Sequence, residues 1–420
     1  MTEKDQPPAR MIEANRTQWR LVPMDLEGML AGDHQARAVW AFVEGLDLSE
    51  FHARIQSREG SAGRPAIDPQ ILLGLWILAT LDGVGAAREI ERLCSQHIAY
   101  QWMCGGVNVN HHTLSDFRNL SSDLLNGLLT QTVAVLIDQG LVEMKRVAQD
   151  GMKVRASAGA SSFRRRKRLE ELEKMVNDQV EALAEEIEND AGAGARREQS
   201  ARKREAERRQ KRIRRALEEM TEAEKRKQSN NGKKKTEARV STTDPTARVM
   251  KMADGGFRPA YNVHLTTTTH LRVVVAVEVN NDGTDLQTMV PLAEQVEERF
   301  EARPSEWLAD GGCSSLGNID QMSDRGCKVF SPLRPRRNAK HQPHEPRPTD
   351  SDAVREWRER MNSASGKEIY KERGATAEWI NAQCRSRGLG QFLVRGAKKA
   401  LAVVLIHAIT NNMMRSIALA

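Results

Sequence analysis

The sequence predicts an α/β core preceded by a helical region, and three observations support this fold class. Apolar residues recur at helical spacing within residues 20–142, as at Ile90, Leu93 and Ile98. From residue 146 onward, short runs rich in β-branched residues alternate with helix-like segments. After the first of these runs comes a long charged segment with helical periodicity. We therefore expect an all-α N-terminal domain, an α/β domain and a helical insertion.

The helical region, assigned to residues 1–142, contains a clear helix start. Asp68 is a good N-cap, and Pro69 suits the first turn of the helix that follows. Apolar residues cover most of the surface of this helix, DPQILLGLWILATLDG, so we expect it to be deeply buried. Short turns separate it from further helices, and this spacing is compatible with helix-turn-helix geometry.

The α/β core begins with the strand candidate KRVAQDGMKVRA, which crosses Asp150. FRPAYNVHLTTTT and HLRVVVAVEVNNDG predict two paired strands, and a helix, a strand ending at Asp310, a helix and another strand follow. Helices are expected from residue 352 to the end. This order is that of an RNase H-like fold, so we expect a mixed five-stranded sheet with flanking helices, built from residues 143–160 and 241–420.

The insertion at residues 161–240 has its own composition. It contains 24 Lys or Arg and 17 Asp or Glu, and the excess of basic residues lies in its second half, 201–240. Leu169, Leu172 and Val176 begin a helical repeat that predicts a hairpin or coiled coil. Residues 230–239 are expected to be disordered. Two interpretations stay open: an arm that lies along DNA phosphates, and a solvated charged hairpin.

Asp150, Asp310 and Glu378 are the candidate catalytic and metal-binding residues. An Asp inside a strand is disfavoured, and an Asp at the carboxyl end of a strand stands where open sheets place ligands. For the third acid, we expect Gly374 to end one helix and Thr376 to cap the next, which puts Glu378 in a first turn. Taken alone, each acid has an ordinary explanation as a turn, edge-strand or exposed helix residue.

Two other glutamates, Glu368 and Glu372, compete for the role of third acid. Three converging carboxylates would suit Mg²⁺, which prefers oxygen ligands. If they flank ions about 3.5–4 Å apart, their carboxylates are expected on the order of 4–8 Å from one another.

The composition limits the function classes. Net charge is +7, which is compatible with a polyanionic partner. The five cysteines are odd in number and form no CxxC, which argues against a disulfide framework or a thiolate zinc site. No P-loop or GxGxxG is present, so no nucleotide cofactor is implied. The longest apolar stretches are too short to cross a bilayer, and the charged N-terminus does not have the features of a signal peptide.

The C-terminal region resembles a known family. Tyr370, Arg373, Glu378 and Arg385 resemble the Tyr-x-x-Arg…Glu…Lys signature around the last acid of bacterial insertion-sequence DDE transposases. Arg385 stands where many relatives have Lys, which keeps the charge but alters the geometry of phosphate contacts. The gap between Arg373 and Glu378 is also one residue longer than in some relatives.

Two further segments carry the resemblance, which extends over residues 20–415. HHTLSDFR, at residues 111–118, resembles the His-x-Thr-x-x-Asp/Ser-Phe-Arg segment that is common before the first acid of these enzymes. TDPTARVMKMADGGFRPAYNVHL, at residues 243–265, resembles the stretch that precedes their second strand.

The resemblance implies a role for each candidate residue. It assigns the three acids to two Mg²⁺ ions, for which Mn²⁺ can substitute, with one ion activating water or a 3′-OH and the other stabilising the leaving oxygen. It assigns Tyr370, Arg373 and Arg385 to the DNA phosphates. Helix-turn-helix spacing makes Arg88, Arg92 and Arg118 candidates for recognition of DNA ends.

The resemblance also implies the partners and the location of the protein. The partners are the terminal inverted repeats of its own element, the target DNA and further copies of the chain, as a homodimer or higher oligomer on DNA. The expected location is the bacterial cytoplasm, with the protein on the nucleoid when bound. Two alternatives come from other classes: a DNA-binding protein without cleavage, such as a decayed transposase, and a coiled-coil scaffold.

Overall fold

The computed structural model describes residues 25–58, 64–189, 193–229, 237–333 and 343–418, together with residues 14, 17 and 60. The first described part of the chain is helical. Its helices are α1 (Gln35–Glu44), α2 (Ser49–Ala53), α3 (Pro69–Leu81), α4 (Ala87–Gln96), α5 (Ile98–Cys104), α6 (His111–Leu120) and α7 (Ser122–Asp138).

Helix α3 has the predicted start and the predicted burial. The Asp68 carboxylate accepts a hydrogen bond from the Gln70 backbone N–H at 2.8 Å, and Pro69 occupies the first turn. Ten of its residues are buried, so nearly the whole surface of the helix faces other elements.

The rest of the described chain forms an α/β unit with an inserted hairpin. Its strands are β1 (Arg146–Arg155), β2 (Phe163–Arg164), β3 (Val240–Ser241), β4 (Arg248–Lys251), β5 (Phe257–Thr268), β6 (Val274–Asn280), β7 (Glu306–Ala309) and β8 (Lys328–Phe330). Its helices are α8 (Arg166–Asn189), α9 (Ala193–Ser229), α10 (Met289–Phe300), α11 (Leu316–Asp324), α12 (Asp352–Asn362), α13 (Ala364–Ser386) and α14 (Ala397–Ile417).

The main sheet of the described residues has the mixed pairing that the sequence predicts. Strand β1 is central: it pairs antiparallel with β5 and parallel with β7, which pairs parallel with β8. Strand β6 adds antiparallel to β5. These five strands with their flanking helices form the expected RNase H-like core. The short strand β4, which pairs with the start of β5, brings the sheet to six strands.

Helix α14 joins the N-terminal helices to the sheet. It packs against α7, α3 and β6, and its Val404 lies in one hydrophobic cluster with Leu73 of α3 and Val154 of β1. A second cluster, which includes Trp307 and Leu292, lies under α10 and α11. Helix α14 is long and apolar enough to cross a bilayer, but 67% of its apolar window is buried inside the protein. It therefore serves here as a core helix.

The insertion forms the predicted helical hairpin. Helices α8 and α9 pack against each other, and the Arg166 guanidinium of α8 pairs with Glu224 of α9 at 2.7 Å. The short strands β2 and β3 pair at its base. Near that base, Arg226 pairs with Asp282 at 2.9 Å, which ties α9 to the loop after β6. Most of the segment expected to be disordered, residues 230–236, lies outside the described residues.

The prediction of a helix break at Gly374 is wrong. Helix α13 starts earlier, where Ser363 Oγ accepts from the Gly366 N–H, and it continues through Gly374 and Thr376. A glycine inside a helix costs only about 1 kcal/mol relative to alanine, and the packing of a long helix outweighs that cost. Glu378 consequently lies in the middle of α13 and not in a first turn.

Candidate catalytic site

Asp150 and Asp310 lie at equivalent positions on neighbouring parallel strands. The register pairs Gln149 of β1 with Ala309 of β7, and each acid is the next residue along its strand. Neighbouring strands are about 4.8 Å apart, so this register brings the two acids to one edge of the sheet. Asp150 is largely buried within β1, whereas Asp310 is exposed immediately after β7.

Helix α13 places two polar side chains on Asp150. Arg373 Nη2 donates to Asp150 Oδ1 at 2.9 Å, and Asn381 Nδ2 donates to Asp150 Oδ2 at 2.8 Å. The two residues are eight positions apart, slightly more than two helical turns, and so lie on the same face of α13. Arg373 is a predicted site residue. Asn381 is not, and its only sequence signal is this spacing from Arg373.

The surroundings of Asp150 shift its proton equilibrium. Burial raises the pKa of Asp150, the Arg373 cation opposes that shift, and the nearby Asp310 adds to it. Burial lowers the pKa of Arg373, but Asp150, Tyr370 and Asp310 together raise it, and the net shift is upward. A second cation near Asp150 and Asp310 would relieve the repulsion between the two carboxylates.

Glu378 lies on α13 one helical turn before Asn381, and its side chain is exposed. Its carboxylate folds back over Gly374: a Cβ at that glycine would lie 3.8 Å from Glu378 Oε1. Both competing glutamates face elsewhere. Glu372 pairs with Arg146, and Glu368 pairs with Lys371 at 2.6 Å.

The three acids do not form a closed metal cluster in this structure. Among the described side chains, no group of three or more His, Cys, Asp or Glu residues is arranged so that it could hold a metal ion. Both oxygens of Asp150 are occupied by Arg373 and Asn381. The chemistry of the donor set still fits a hard divalent cation, because two carboxylates share one edge of the sheet and a third lies one helical turn from the contact with Asp150.

The remaining residues of the C-terminal signature lie on both sides of Arg373. Tyr370 is half-buried; burial raises the pKa of its phenol, and the nearby Arg373 cation opposes that shift. Arg385 is exposed, three turns along the helix from Arg373, and lines an open cleft of about 600 Å³. Gly151, the residue after Asp150, also lines the cleft. The other basic side chains that line it are Lys153, Arg155, Lys251 and Arg258.

The predicted DNA-contacting arginines of the N-terminal helices differ in their surroundings. Arg88 and Arg92 lie on α4, where Arg88 is exposed and Arg92 pairs with Glu89. Arg118 of α6 is only 5% exposed, and its guanidinium stacks on the Trp76 ring at 4.1 Å. The structure thus leaves Arg88 and Arg92 accessible to a DNA groove but not Arg118.

A polar cluster behind Gly151 was missed by sequence reasoning. His264 lies opposite Gly151 on β5, and a Cβ at residue 151 would lie 2.7 Å from its Cε1. Asp285 accepts from Asn262 Nδ2 at 2.6 Å and lies 3.6 Å from the His264 ring. Burial lowers the pKa of His264 to about 4, so the ring is neutral near pH 7. The glycine after Asp150 is therefore required by the close approach of this histidine.

Two family models match the chain. The Transposase domain (DUF772) matches residues 24–120, and the Transposase DDE domain matches residues 236–410. No curated protein and no solved structure matches the chain. The second match contains Asp310 and Glu378, and the gap between the two matches contains Asp150 and most of the hairpin.

Proposed function

Because the chain belongs to the insertion-sequence DDE transposases, we propose that it binds the terminal inverted repeats of its own element, cuts the DNA there and joins the ends to target DNA. The observation that carries this proposal is the register of β1 and β7, which places Asp150 beside Asp310 under a helix that also bears Glu378. Intact acids at these positions are what strand cleavage requires.

Asp150, Asp310 and Glu378 are proposed to hold two Mg²⁺ ions. When bound, such ions activate the attacking water or 3′-OH and stabilise the leaving oxygen. Glu378 must turn from its position over Gly374 toward Asp150, and its place one helical turn before Asn381 supports this movement. Without metal, the Arg373 cation and the Asn381 amide satisfy the carboxylate of Asp150.

Arg373, Tyr370 and Arg385 are proposed to bind the DNA phosphates. Once Asp150 has another cationic partner, the Arg373 guanidinium is free to donate to a phosphate oxygen, as charged donors do well. Tyr370, which lies near Arg373, would contact the same phosphate. The cleft lined by Gly151, Lys153 and Arg385 is proposed to hold DNA beside Asp150, the residue that precedes Gly151.

The remaining parts of the chain are proposed to recognise the DNA sequence and to bind the DNA backbone. Residues 1–142 form the recognition domain, with Arg88 and Arg92 on the accessible surface of α4. The catalytic domain comprises residues 143–160 and 241–420. The insertion at residues 161–240 is proposed to lie along phosphates, and a solvated charged hairpin is the alternative. Cleavage is expected in the bacterial cytoplasm, on the nucleoid, by a homodimer or higher oligomer that brings two element ends together.

One observation favours the second candidate function, sequence-specific DNA binding without cleavage. The described side chains hold no ready metal cluster, and Asp150 is already paired with Arg373. A decayed copy that still binds its repeats would have this appearance.

A plasmid assay separates the two functions. The substrate carries both ends of the element that surrounds this reading frame, and products are scored on gels with Mg²⁺ or with EDTA. We expect the wild-type chain to cut at the ends only with Mg²⁺, and Asp310→Asn to bind the ends without cutting. Binding without any cutting by the wild-type chain would leave the non-cleaving function standing.

A further inference from the structure

A partly open pocket of about 300 Å³ lies where the N-terminal helices meet the C-terminal segment. On one side it is bounded by the turn after α3, at Gly83–Gly85. On the other it is bounded by the segment after α13, at Arg387–Leu393. The two loops approach closely: a Cβ at Gly388, where φ is +88°, would lie 2.8 Å from the Gly83 carbonyl oxygen. The pocket is therefore built from backbone that cannot readily accept larger side chains.

The polar groups that line this pocket are cationic or neutral. They include Arg118, Arg155, Arg387 and His407, and none of the described lining residues is an aspartate or glutamate. Arginines at domain contacts usually face carboxylates, because a desolvated cation without a counter-charge is costly. Three guanidinium groups around one pocket without an acid leave a site suited to an anion.

Arg118 is the most buried of these cations. Its Nη1 donates to the Gly85 carbonyl at 3.0 Å, and its guanidinium plane stacks on the Trp76 ring. Its Nε has no hydrogen-bond partner among the described residues. Burial alone lowers its pKa, to about 10, so it stays charged near neutral pH.

His407 supplies a second buried polar group that lacks a partner. This α14 residue is 7% exposed, and its Nδ1 has no hydrogen-bond partner in the described part of the chain. Burial, with a smaller contribution from Arg387, lowers the pKa of His407 to about 3, so its ring is neutral. A neutral ring can donate one hydrogen bond to an anion without requiring a further proton.

We propose that this pocket binds a phosphate group, and that Arg118, Arg155 and Arg387 are its ligands. The DNA source of that phosphate rests on the proposed transposase function, whereas the site for phosphate itself does not. A tetrahedral anion with several oxygens matches donors that come from α6, β1 and the segment after α13. Arg118, the last residue of HHTLSDFR, thereby acquires a phosphate contact without entering a DNA groove.

The position of Arg155 connects the pocket to the cleft that Gly151 and Arg385 line. Arg155 and Gly390 line both the pocket and the cleft. Arg155 is five residues beyond Asp150 on β1, which corresponds to about 16 Å along a strand.

The first arm of the test uses inorganic phosphate and the full chain. Thermal unfolding is measured in sodium phosphate and in sodium chloride at equal ionic strength, for wild type, Arg155→Gln, Arg387→Gln and the control Arg395→Gln. Arg395 is exposed on the same segment and does not line the pocket. Phosphate also stabilises proteins by exclusion from their surface, and that general effect is common to all four proteins.

We expect phosphate to raise the Tm of wild type and Arg395→Gln more than that of the two pocket variants, because only a specific site adds stability by mass action. An equal rise in all four proteins would overturn the proposal. Arg155 is exposed and Arg387 is half-buried, so neither substitution disrupts the core.

The second arm identifies the source of the phosphate by measuring the affinity for duplex DNA against salt concentration. If the ligand is a backbone phosphate, Arg387→Gln lowers the slope of log affinity against log salt by about one. Loss of the specific Tm rise with an unchanged slope assigns the pocket to a free phosphate or phosphorylated small molecule. If the wild-type chain binds no DNA at all, the proposed transposase function fails. The rise of Tm in phosphate still tests whether the pocket binds phosphate.

Discussion

Arg373 on α13 donates a hydrogen bond to Asp150 on β1 at 2.9 Å, and thereby joins residues that are 223 positions apart in the chain. Both side chains are largely buried, at 16% and 19% exposure. This contact fixes the helix that carries Glu378 above the strand that carries Asp150. It also places a cation on a carboxylate that lies beside Asp310.

Replacing Arg373 tests its dual role. Arg373→Gln should reduce DNA-end cleavage on the order of 10²–10³-fold, because one preorganised donor to a developing charge has an effect of that size. The initial cleavage rate at saturating Mg²⁺ measures this. Arg355→Gln, which removes an exposed pair with Asp352 on α12, is the matched control. A wild-type rate in Arg373→Gln would show that the pair with Asp150 is structural only.

Much of the fold follows from local sequence. Strands β1, β5, β6 and β7 have strong β-branched or apolar patterns, and helix α3 has both a cap and an apolar surface, so their places were predictable. The continuity of α13 was not, because Gly374 is a local signal for a break that tertiary packing overrides. Likewise, no local pattern reveals that α14 returns to pack on α3 and α7.

The candidate site was predictable as a set of acids but not as a geometry. Asp150 and Asp310 follow strand patterns, and the register that aligns them depends on pairing between segments far apart in sequence. Asn381 and the His264–Asp285 pair carry no recognisable motif. The burial of Arg118 could not be predicted from the sequence either, because it depends on tertiary contacts of α6 with Gly85 and Trp76.

Removing the helical hairpin α8–α9 distinguishes a role in binding DNA phosphates from a role in oligomerisation. Replacing residues 166–229 by a short Gly/Ser linker should weaken binding to all DNA sequences. It should also flatten the salt dependence of the affinity, because binding through fewer phosphate contacts releases fewer counterions. The catalytic fold should survive, because Leu169, Ala216 and Met220 form a small cluster of their own. Binding assays over a range of salt, with light scattering for mass, measure both properties.

A charge variant provides the control for the hairpin. Arg208→Gln, Arg209→Gln and Lys211→Gln together remove three exposed cations from α9 and leave the hairpin in place. We expect a slope reduced by up to about three. An unchanged slope in both proteins, with loss of the higher oligomer only in the linker variant, would show that the hairpin is an oligomerisation element.

The N-terminal helices should supply sequence recognition. Arg88→Gln with Arg92→Gln should reduce the preference for terminal repeats over random DNA, with each base contact worth roughly 1–3 kcal/mol. Competition binding with the two DNAs measures the ratio. Lys398→Gln with Lys399→Gln, at the exposed start of α14, is the charge-matched control. Equal loss for both DNAs would place the two arginines on the phosphates instead.

Burial of His407 predicts a pH dependence of stability. Its pKa is lowered to about 3 in the folded chain, so between that value and the ordinary pKa of 6.5 the unfolded chain binds one more proton. The free energy of unfolding should therefore fall as pH drops through this window, by about 1.4 kcal/mol per pH unit from this residue. Urea unfolding from pH 6.5 to 4 should show a flatter dependence in His407→Leu. An identical dependence in both proteins would mean that His407 is not held neutral.

The most direct test of the three-acid site is the number of Mn²⁺ ions that the chain holds on DNA from its own element ends. Electron paramagnetic resonance counts bound Mn²⁺ independently of cleavage. We predict two ions for wild type and for Glu368→Gln, an exposed neighbour on α13 that pairs with Lys371. Glu378→Gln should lose at least one ion. Two ions bound equally well by Glu378→Gln would contradict the assignment of Glu378 as the third acid.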